Sequence, residues 1–184
     1  MGNAEWTGTP PANWTISNPS VTKSSGSSWG SGVYATAQSS TDTFGHFICK
    51  WNSGDATVVV GISTLAYIAA NGNDEAGLQY GFKFKPYATT NYSTFENGTV
   101  LTGNTYSIDS DTEFKLTYDG SDIKYYVDDV LIDTVTVSLS GTFYLWTNNN
   151  RADGSGSIQC DVSGSPAPSA GGTRLPPPPL IARF

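Results

Sequence analysis

This sequence of 184 residues is poor in the residue types that most catalytic, metal-binding and nucleic-acid-binding sites use. It has one histidine and two cysteines, and charged residues make up only 14% of the chain. Nine Lys and Arg are set against sixteen Asp and Glu, which gives a net charge of −7. The basic residues form no cluster. Because phosphates and anionic lipids need grouped Lys or Arg, the sequence excludes nucleic-acid binding and adhesion to an anionic membrane surface.

Long apolar runs are also absent. None reaches the length that a membrane-spanning helix needs, so no membrane insertion is expected. The N-terminus, MGNAEWTGTPP, lacks the basic segment and apolar run of a signal peptide, although abundant Ser, Thr, Asn and Gly are typical of extracellular proteins. Three interpretations fit: a domain of a larger secreted chain, a protein exported without a signal, or a component of a particle assembled inside a cell. The predicted location is a virion surface or the extracellular space.

The two cysteines, Cys49 and Cys160, allow at most one disulfide bond. Each lies in an alternating apolar run, at 47–51 and 158–162, so we expect both side chains to face the core. Cysteine packs as a small apolar side chain, which favours two buried free thiols, with a disulfide as the alternative. No metal is expected, because two lone cysteines far from His46 do not make a ligand set.

What the chain does have is a series of short alternating apolar runs separated by Gly, Asn and Asp. Such alternation places successive side chains on opposite faces of a strand. One segment, TLAYIAANGNDEA, suits a single helical turn that Asn-Gly-Asn ends. About ten short antiparallel strands predict an all-β sandwich or barrel. The predicted core-facing sets are Leu78, Tyr80, Phe82 and Phe84; Phe114, Leu116 and Tyr118; and Ile123, Tyr125 and Val127.

The composition changes near residue 164, where GSPAPSAGG is followed by TRLPPPPLIARF. Such proline density prevents strands and helices, so we predict a β-sandwich domain at 1–163 and an extended Pro/Gly-rich linker and tail at 164–184. A polyproline helix flanked by apolar residues suits docking on a partner protein, so the predicted partners are other chains of an assembly. The predicted docking residues are Leu175, Pro176, Pro177, Pro178, Pro179, Leu180, Ile181 and Phe184.

The segment FKLTYDGSDIKYYVDDVLID carries the most specific pattern, which reads strand, Asp-Gly turn, strand, Asp-Asp turn and strand. It resembles the hairpin signature of the concanavalin A-like lectin/glucanase superfamily, whose jelly rolls include laminin G-like modules. In that signature a strand ends in Tyr-Asp-Gly and the next ends in Tyr-Val-Asp-Gly. Here Asp129 replaces the last glycine, and aspartate tolerates the positive φ that the turn needs. The resemblance implies an antiparallel β-sandwich of the jelly-roll type.

Three alternating carboxylates, Asp109, Asp111 and Glu113, precede this hairpin and raise the question of glycan hydrolysis. Alternation places them on one face of a strand, and a retaining glycosidase needs two carboxyl groups about 5 Å apart. In the glucanases of the superfamily, however, the catalytic strand lies well upstream of this hairpin. We therefore interpret the carboxylates as a polar turn followed by a solvated strand face, and no catalytic residue is predicted.

Sugar-binding sites combine exposed aromatic side chains with Asn, Asp and Gly loops. The stretch TFYLWTNNNRADGSGS supplies both, with Trp146 expected to face away from Phe143 and Leu145. Its Asn and Asp oxygens also suit Ca²⁺, although no cofactor is required. The alternative interpretation is a core tryptophan followed by a solvated polar loop. The candidate carbohydrate-binding residues are Trp146, Asn148, Asn149, Asn150, Asp153, Trp29, Tyr92 and Tyr126.

The predicted function is that of a non-enzymatic structural or attachment subunit on the surface of a virus or phage particle. Its lectin-like domain would face outward, its tail would dock on a partner protein, and cell-surface glycans would be secondary partners. One alternative is a secreted carbohydrate-binding module or lectin. A further alternative is a β-glucan-active hydrolase or lyase.

Overall fold

The computed structural model describes residues 12–17, 20–23, 33–39, 46–53, 57–85, 91–104, 108–109, 112–150 and 157–163. Within these residues the chain forms thirteen strands, with an α-helix and a 3-10 turn between the fifth and sixth strands. The strands are β1 (Trp14–Ser17), β2 (Ser20–Lys23), β3 (Val33–Ser39), β4 (His46–Ser53), β5 (Val58–Ser63), β6 (Tyr80–Lys85), β7 (Asn91–Glu96), β8 (Thr99–Asn104), β9 (Glu113–Tyr118), β10 (Asp122–Val127), β11 (Val130–Thr136), β12 (Thr142–Asn149) and β13 (Ser157–Ser163). The helical segments are α1 (Leu65–Asn71) and the 3-10 turn Glu75–Gly77.

The strands form two antiparallel sheets. A seven-stranded sheet has the order β1-β2-β13-β4-β9-β10-β11, and a six-stranded sheet has the order β3-β12-β5-β6-β7-β8. The antiparallel β-sandwich predicted from the alternation is therefore confirmed. Strands β1, β2 and β8 were not among the predicted runs, because each is short and rich in Ser, Thr, Asn or Gly.

Apolar side chains from both sheets meet in one layer, which is the main core. Strand β9 shows the predicted alternation, since Phe114, Leu116 and Tyr118 are buried while the residues between them are half-buried. The ring of Phe114 stacks on that of Phe84 with a centroid distance of 4.6 Å and an interplanar angle of 6°. Phe82 adds a tilted contact with Phe114 at 5.2 Å. The two sheets are thus joined by aromatic packing at the centre of the sandwich.

Two side-chain hydrogen bonds also cross between the sheets. The buried Tyr125 hydroxyl of β10 donates to the Phe95 carbonyl oxygen of β7 at 2.7 Å, and burial raises the pKa of Tyr125 well above its ordinary value. The Thr94 hydroxyl of β7 donates to the Asp133 carboxylate of β11 at 2.9 Å. Both bonds fix the register of β10 and β11 over the six-stranded sheet.

The hairpin signature folds as predicted. Asp128 and Asp129 both have positive φ, at 49° and 63°, so aspartate does take the place of the turn glycine. The Asp128 carboxylate accepts a hydrogen bond from the Glu113 amide at 2.8 Å, which ties the turn to the start of β9. In the preceding Asp-Gly turn, the Asp119 carboxylate accepts from the Asp122 amide at 2.8 Å and from Lys124 Nζ at 2.8 Å.

A second apolar cluster lies on the outer face of the six-stranded sheet. Its members are Val59, Ile68, Leu78, Phe95 and Trp146. Leu78 was predicted to share a face with Tyr80 and Phe82, and this prediction is wrong because β6 begins only at Tyr80. Leu78 follows the 3-10 turn and packs with α1 instead. The helix is also longer than the predicted single turn, although it ends at Gly72 as the Asn-Gly-Asn sequence indicated.

Two glycines make room for this cluster. Cross-strand neighbours Trp146, Gly61, Gly81 and Phe95 form one row across β12, β5, β6 and β7. A Cβ atom at Gly61 would lie 2.8 Å from Leu78 Cδ1 and would overlap the Tyr80 carbonyl oxygen. The absence of side chains in the middle of the row therefore lets Leu78 and the neighbouring helical segment sit directly on the sheet.

Some sequence predictions fall outside the described residues. The tail at 164–184, with its docking residues Leu175–Phe184, is one of them, and the domain boundary at residue 163 stays a prediction although β13 finishes there. Cys49 and Cys160 are direct cross-strand partners in the β4–β13 pair. Their side chains are not described, so the choice between free thiols and a disulfide stays a prediction.

The Asp119 turn makes stability depend on pH. The Lys124 ammonium and the Asp122 amide hold the pKa of the Asp119 carboxyl well below its ordinary value of 3.8. A carboxylate with a depressed pKa in the folded state adds stability above the ordinary pKa, and this is lost as the pH falls through the folded pKa. We expect Asp119→Asn to lower the free energy of unfolding by about 0.5–1 kcal/mol at pH 7, because a half-exposed carboxylate is screened by water.

The measurement is urea denaturation of both proteins between pH 7 and pH 2. The stability difference should be constant above about pH 4.5 and should shrink below it. A difference that is the same at pH 2 and pH 7 would show that the carboxylate charge does not stabilise the turn.

Candidate functional site

The two sheets share an end that carries most of the candidate binding residues. Because the strand pairs of the described residues are antiparallel, even-numbered strands finish and odd-numbered strands begin there. In the six-stranded sheet, Asn149 pairs with Val58, and Phe84 pairs with Tyr92. We call this the loop end, and its connections are 24–32, 54–57, 86–90, 105–112, 128–129 and 150–156. The opposite end, where β13 finishes at Ser163, is called the tail end.

The strand pairing places five of the predicted candidates near the loop end, on different faces of the two sheets. Trp29 and Asp153 lie outside the described residues, but the connections that contain them leave from Lys23 and Asn149, which are both at this end. Lys23 Nζ donates to the Asn149 carbonyl oxygen at 2.7 Å, so these two strand ends are in direct contact. The described candidates at the loop end are Tyr92, Tyr126, Asn148, Asn149 and Asn150.

Trp146 is not an exposed platform. It faces away from Phe143 and Leu145, as predicted, but its side chain is fully buried in the cluster beneath α1 and the 3-10 turn. A Cβ atom on Gly77 of that turn would lie 3.7 Å from the Trp146 ring. An indole without an exposed face cannot stack on a sugar, so the prediction of Trp146 as a binding residue is wrong, and the alternative of a core tryptophan is correct.

The three consecutive asparagines differ in their hydrogen bonding. The buried Asn148 side chain donates to the Asn73 carbonyl oxygen and accepts from the Asn149 amide. The Asn150 side chain accepts from the Thr57 amide at 3.0 Å, which links β12 to the start of β5. Asn148 and Asn150 therefore hold the backbone of the loop end in place, a role that their sequence alone did not indicate.

Asn149 has no such partner for its side chain. The residue is fully buried, and neither Nδ2 nor Oδ1 makes a hydrogen bond. A buried polar group without a partner costs about 1–3 kcal/mol. Beside it, burial lowers the pKa of Lys23, whose ammonium also lies 5.8 Å from the Trp14 ring. Asn149 is therefore a buried amide without side-chain hydrogen bonds, next to a buried cation, and its cost falls on the stability of the free protein.

A cavity of about 370 Å³ opens at the same end, between β7 and the β10–β11 turn. Tyr92 lies at its floor and is only 1% exposed, so it does not present a free aromatic face as predicted. Its ring makes an edge contact with Phe114 at 5.8 Å, so the floor of the cavity is continuous with the core. The residues that line the cavity are Tyr92, Ile108, Thr112, Val127, Asp128, Val130 and Ile132.

Tyr126 lies near the cavity but on the outer face of the seven-stranded sheet. Its ring is half-buried, and Lys115 Nζ lies 4.7 Å from the ring centroid. Lys115 also pairs with the Asp129 carboxylate. Among the predicted aromatic candidates whose side chains are described, Tyr126 is the one with a partly exposed ring.

The carboxylates before the hairpin do not form a catalytic strand. Asp109 begins a turn, in which its side chain accepts from the Thr112 amide at 3.0 Å and its own amide donates to the Thr112 hydroxyl at 3.0 Å. Glu113 is the first residue of β9, and Asp111 lies outside the described residues. The interpretation as a turn followed by a strand face is confirmed for Asp109 and Glu113.

The outer face of the six-stranded sheet also lacks a carboxylate pair in the part of the chain that the structure describes. The β5 and β6 positions that share a face with Trp146 are Val59, Gly61, Ser63, Gly81 and Lys83. Above them, Glu75 pairs with Lys83 at 2.6 Å and Asp74 accepts from the Ala76 amide at 2.9 Å. Both carboxylates therefore stabilise the 3-10 turn or its contact with β6.

Two further features are absent from the described residues. They contain no group of three or more His, Cys, Asp or Glu side chains placed to hold a metal ion. They also contain no helix that is long and apolar enough to cross a membrane.

No protein-family model and no curated protein matches this sequence. Solved structures do match. A protein of unknown function from Saccharomyces cerevisiae has 10% identity over 83% of this chain and 90% of its own, with a TM-score of 0.51. The polysaccharide lyase family 7 alginate lyase AlgAT5 has 15% identity over 82% of this chain and 80% of its own, with a TM-score of 0.50. The carbohydrate-binding module CBM66 from Bacillus subtilis has 15% identity over 88% and 95%, with a TM-score of 0.47.

These similarities establish the fold. The chain is a concanavalin A-like jelly roll, as the hairpin signature indicated. At 10–15% identity, the matching structures do not assign an activity to this chain.

The neighbouring asparagines allow a matched test of the loop end. We expect Asn149→Leu to raise the free energy of unfolding by about 1–3 kcal/mol, because it replaces a buried amide without partners by an apolar group of similar size. The control, Asn148→Leu, should lower it by about 1–3 kcal/mol, because it leaves the Asn73 carbonyl and the Asn149 amide without their bonds. Chemical denaturation of the three proteins measures both effects. Equal destabilisation by the two changes would show that the Asn149 amide is already satisfied in the free protein.

Proposed function

We propose that this protein is a carbohydrate-binding module without catalytic activity, and that it binds neutral glycans at the loop end. The observation that carries the proposal is the cavity that opens at the end of the sandwich from which the polar loop-end connections leave both sheets. Rigid sheets that hold variable connections at one end are a frequent basis for binding sites.

The composition of the loop-end connections supports a sugar ligand. They read SSGSSWGSG, GDAT, PYATT, TYSIDSDT, DD and NRADGSG, so hydroxyl, amide and carboxylate groups alternate with Trp29, Tyr87 and Tyr106. Sugar hydroxyls donate to and accept from such polar groups, while aromatic rings stack on the apolar faces of pyranoses. The alginate lyase among the similar structures belongs to a polysaccharide lyase family, as its name states.

The described carboxylates support the proposal that the protein is not a glycoside hydrolase. Glycoside hydrolysis needs two carboxyl groups on either side of the scissile bond, one of them with a raised pKa. Among the described residues, Asp109 serves a turn, Glu75 pairs with Lys83, and the outer face of the six-stranded sheet has no acidic pair. A β-glucan hydrolase is therefore disfavoured.

The charge favours neutral over acidic glycans. Asp109, Asp128 and Asp129 lie at the loop end, and the whole chain carries a net charge of −7. Uronates and sulfated sugars would approach this surface against electrostatic repulsion.

The tail complements this arrangement. The chain leaves the domain from Ser163 at the tail end, and residues 164–184 continue from there. A tail that docks on a partner through Leu175, Leu180, Ile181 and Phe184 would leave the loop end free for glycans. A place on a virus or phage particle, or in the extracellular space, stays a prediction from the sequence, because neither the described residues nor the similar structures bear on it.

Chemical-shift mapping with a panel of neutral trisaccharides tests this proposal. We expect at least one of cellotriose, mannotriose, xylotriose and N,N′,N″-triacetylchitotriose to shift the backbone amides of Lys23, Thr57, Asn150 and Asp128. The tail-end amides of Asn97, Gly120 and Gly141 should not move, and a trigalacturonate should bind more weakly. Removal of residues 164–184 should leave these shifts unchanged.

Shifts centred on the outer face of the six-stranded sheet, or tighter binding of the acidic trisaccharide, would contradict the proposed site. Release of reducing sugar from any of these ligands would contradict the absence of catalysis.

A further inference from the structure

The cavity at the loop end has a graded lining. Tyr92, Ile108 and Thr112 at its floor are buried, and Val127 and Ile132 in its walls are half-buried. Val130 at the rim is 61% exposed. The volume of the cavity is about 370 Å³. A protein cavity of roughly 150 Å³ admits benzene, so this cavity has room for a pyranose ring or a large substituent.

The hydrogen-bonding groups of the lining are mostly engaged within the protein. The Thr112 hydroxyl bonds to both the amide and the carboxylate of Asp109. One oxygen of Asp128 accepts from the Glu113 amide. Asp128 is exposed, and its second oxygen makes no hydrogen bond with the described residues. The described lining therefore combines mostly apolar side chains with one exposed carboxylate.

We propose that this cavity is the specificity pocket of the carbohydrate site and that it takes the acetamido group of an N-acetylated hexosamine. This inference rests on the proposed function and adds the class of sugar. The acetyl methyl group lies against Ile108, Val127 and Ile132, and the acetamido N–H donates to Asp128. An acetamido group is neutral, carries one donor and ends in a methyl group, and these features match the described lining, while its carbonyl oxygen faces solvent at the open mouth of the cavity.

Other sugars fit this lining less well. A plain hexose would place hydroxyl groups against aliphatic walls, where they would lose their hydrogen bonds to water. A uronate would place its charge beside Asp128 and Asp129. An unacetylated hexosamine would pair its ammonium with Asp128 but would leave the apolar walls without a partner. The cavity therefore distinguishes sugars by an apolar group next to a donor.

Strand β11 supplies a matched pair of variants for the test. Ile132 lines the cavity, and the neighbouring Leu131 is exposed and does not. We expect Ile132→Thr to weaken binding of N,N′,N″-triacetylchitotriose about tenfold and binding of cellotriose by less than twofold, since it replaces apolar wall by a hydroxyl group. Leu131→Thr should change neither affinity. Isothermal titration calorimetry measures both, with chitosan trimer as the unacetylated control.

Asp128→Asn provides a second variant if the first is poorly folded. Asparagine tolerates positive φ and keeps one oxygen for the Glu113 amide, but it presents an amide donor to the acetamido N–H. We expect it to reduce the preference for acetylated over plain trisaccharide by about three- to tenfold, with an unchanged melting temperature.

The outcomes separate the two proposals. Equal affinity for acetylated and plain trisaccharides, or a preference that both variants leave intact, would overturn the cavity assignment and leave carbohydrate binding standing. Failure of every trisaccharide to bind at millimolar concentration would overturn both. Loss of the preference in Ile132→Thr and Asp128→Asn, but not in Leu131→Thr, would support both.

Discussion

The packing of Phe114 against the six-stranded sheet is the contact on which the rest of the molecule depends. Its ring stacks on Phe84, tilts against Phe82 and receives the edge of Tyr92, so one side chain of β9 touches three rings of β6 and β7. A buried phenylalanine contributes several kcal/mol, and truncating such a side chain costs about 3–5 kcal/mol. The packing of Phe114 also positions the cavity at the loop end, because Tyr92 contacts Phe114 and lines the floor of the cavity. Core and candidate site are therefore parts of one packed unit.

Antiparallel pairing around this core gives the sandwich two ends, the loop end and the tail end, which carry different connections. Every connection from an even to an odd strand lies at the loop end, so length and composition can vary there without moving a core side chain. Asn150 and Thr57 exchange backbone and side-chain hydrogen bonds at this end, and Lys23 joins the two sheets through the Asn149 carbonyl. These bonds fix the strand ends from which the connections leave. At the other end, the chain departs from β13 toward the tail.

The sequence predicted the burial of the strands that alternate, but it did not show where both faces of a strand are covered. Strands β9 and β10 are buried on one face, so Phe114, Leu116 and Tyr125 were assigned to the core correctly. Strand β5 is buried throughout, because Val59 packs under α1 while Val58 and Val60 face the main core, and alternation does not show this. The exposure of Trp146 was also predicted wrongly. The alternation showed that Trp146 faces away from the main core, but it did not show that α1 and the 3-10 turn cover that face. The choice of candidate binding residues stays a prediction, and only the pairing of strands shows that five of them lie at the same end of the sandwich. The unpaired Asn149 amide and the cavity arise from gaps in three-dimensional packing, which no local pattern records.

The outer face of the six-stranded sheet explains why binding is assigned to the loop end. An open sheet with a row of side chains would offer a groove to an extended polysaccharide. Here Gly61 and Gly81 take the central positions of one row, and Leu78 fills the space that their missing side chains leave. The Ser63 hydroxyl donates to the Gly77 carbonyl at 2.8 Å and accepts from the Gln79 amide at 2.9 Å, which fastens the 3-10 turn to the sheet. With α1 and this turn in place, Trp146 and Phe95 are core residues rather than a binding surface. Among the described residues, Asp74 and Glu75 of that segment are bonded within it or to Lys83, so we propose the glycan site where the strands of both sheets end.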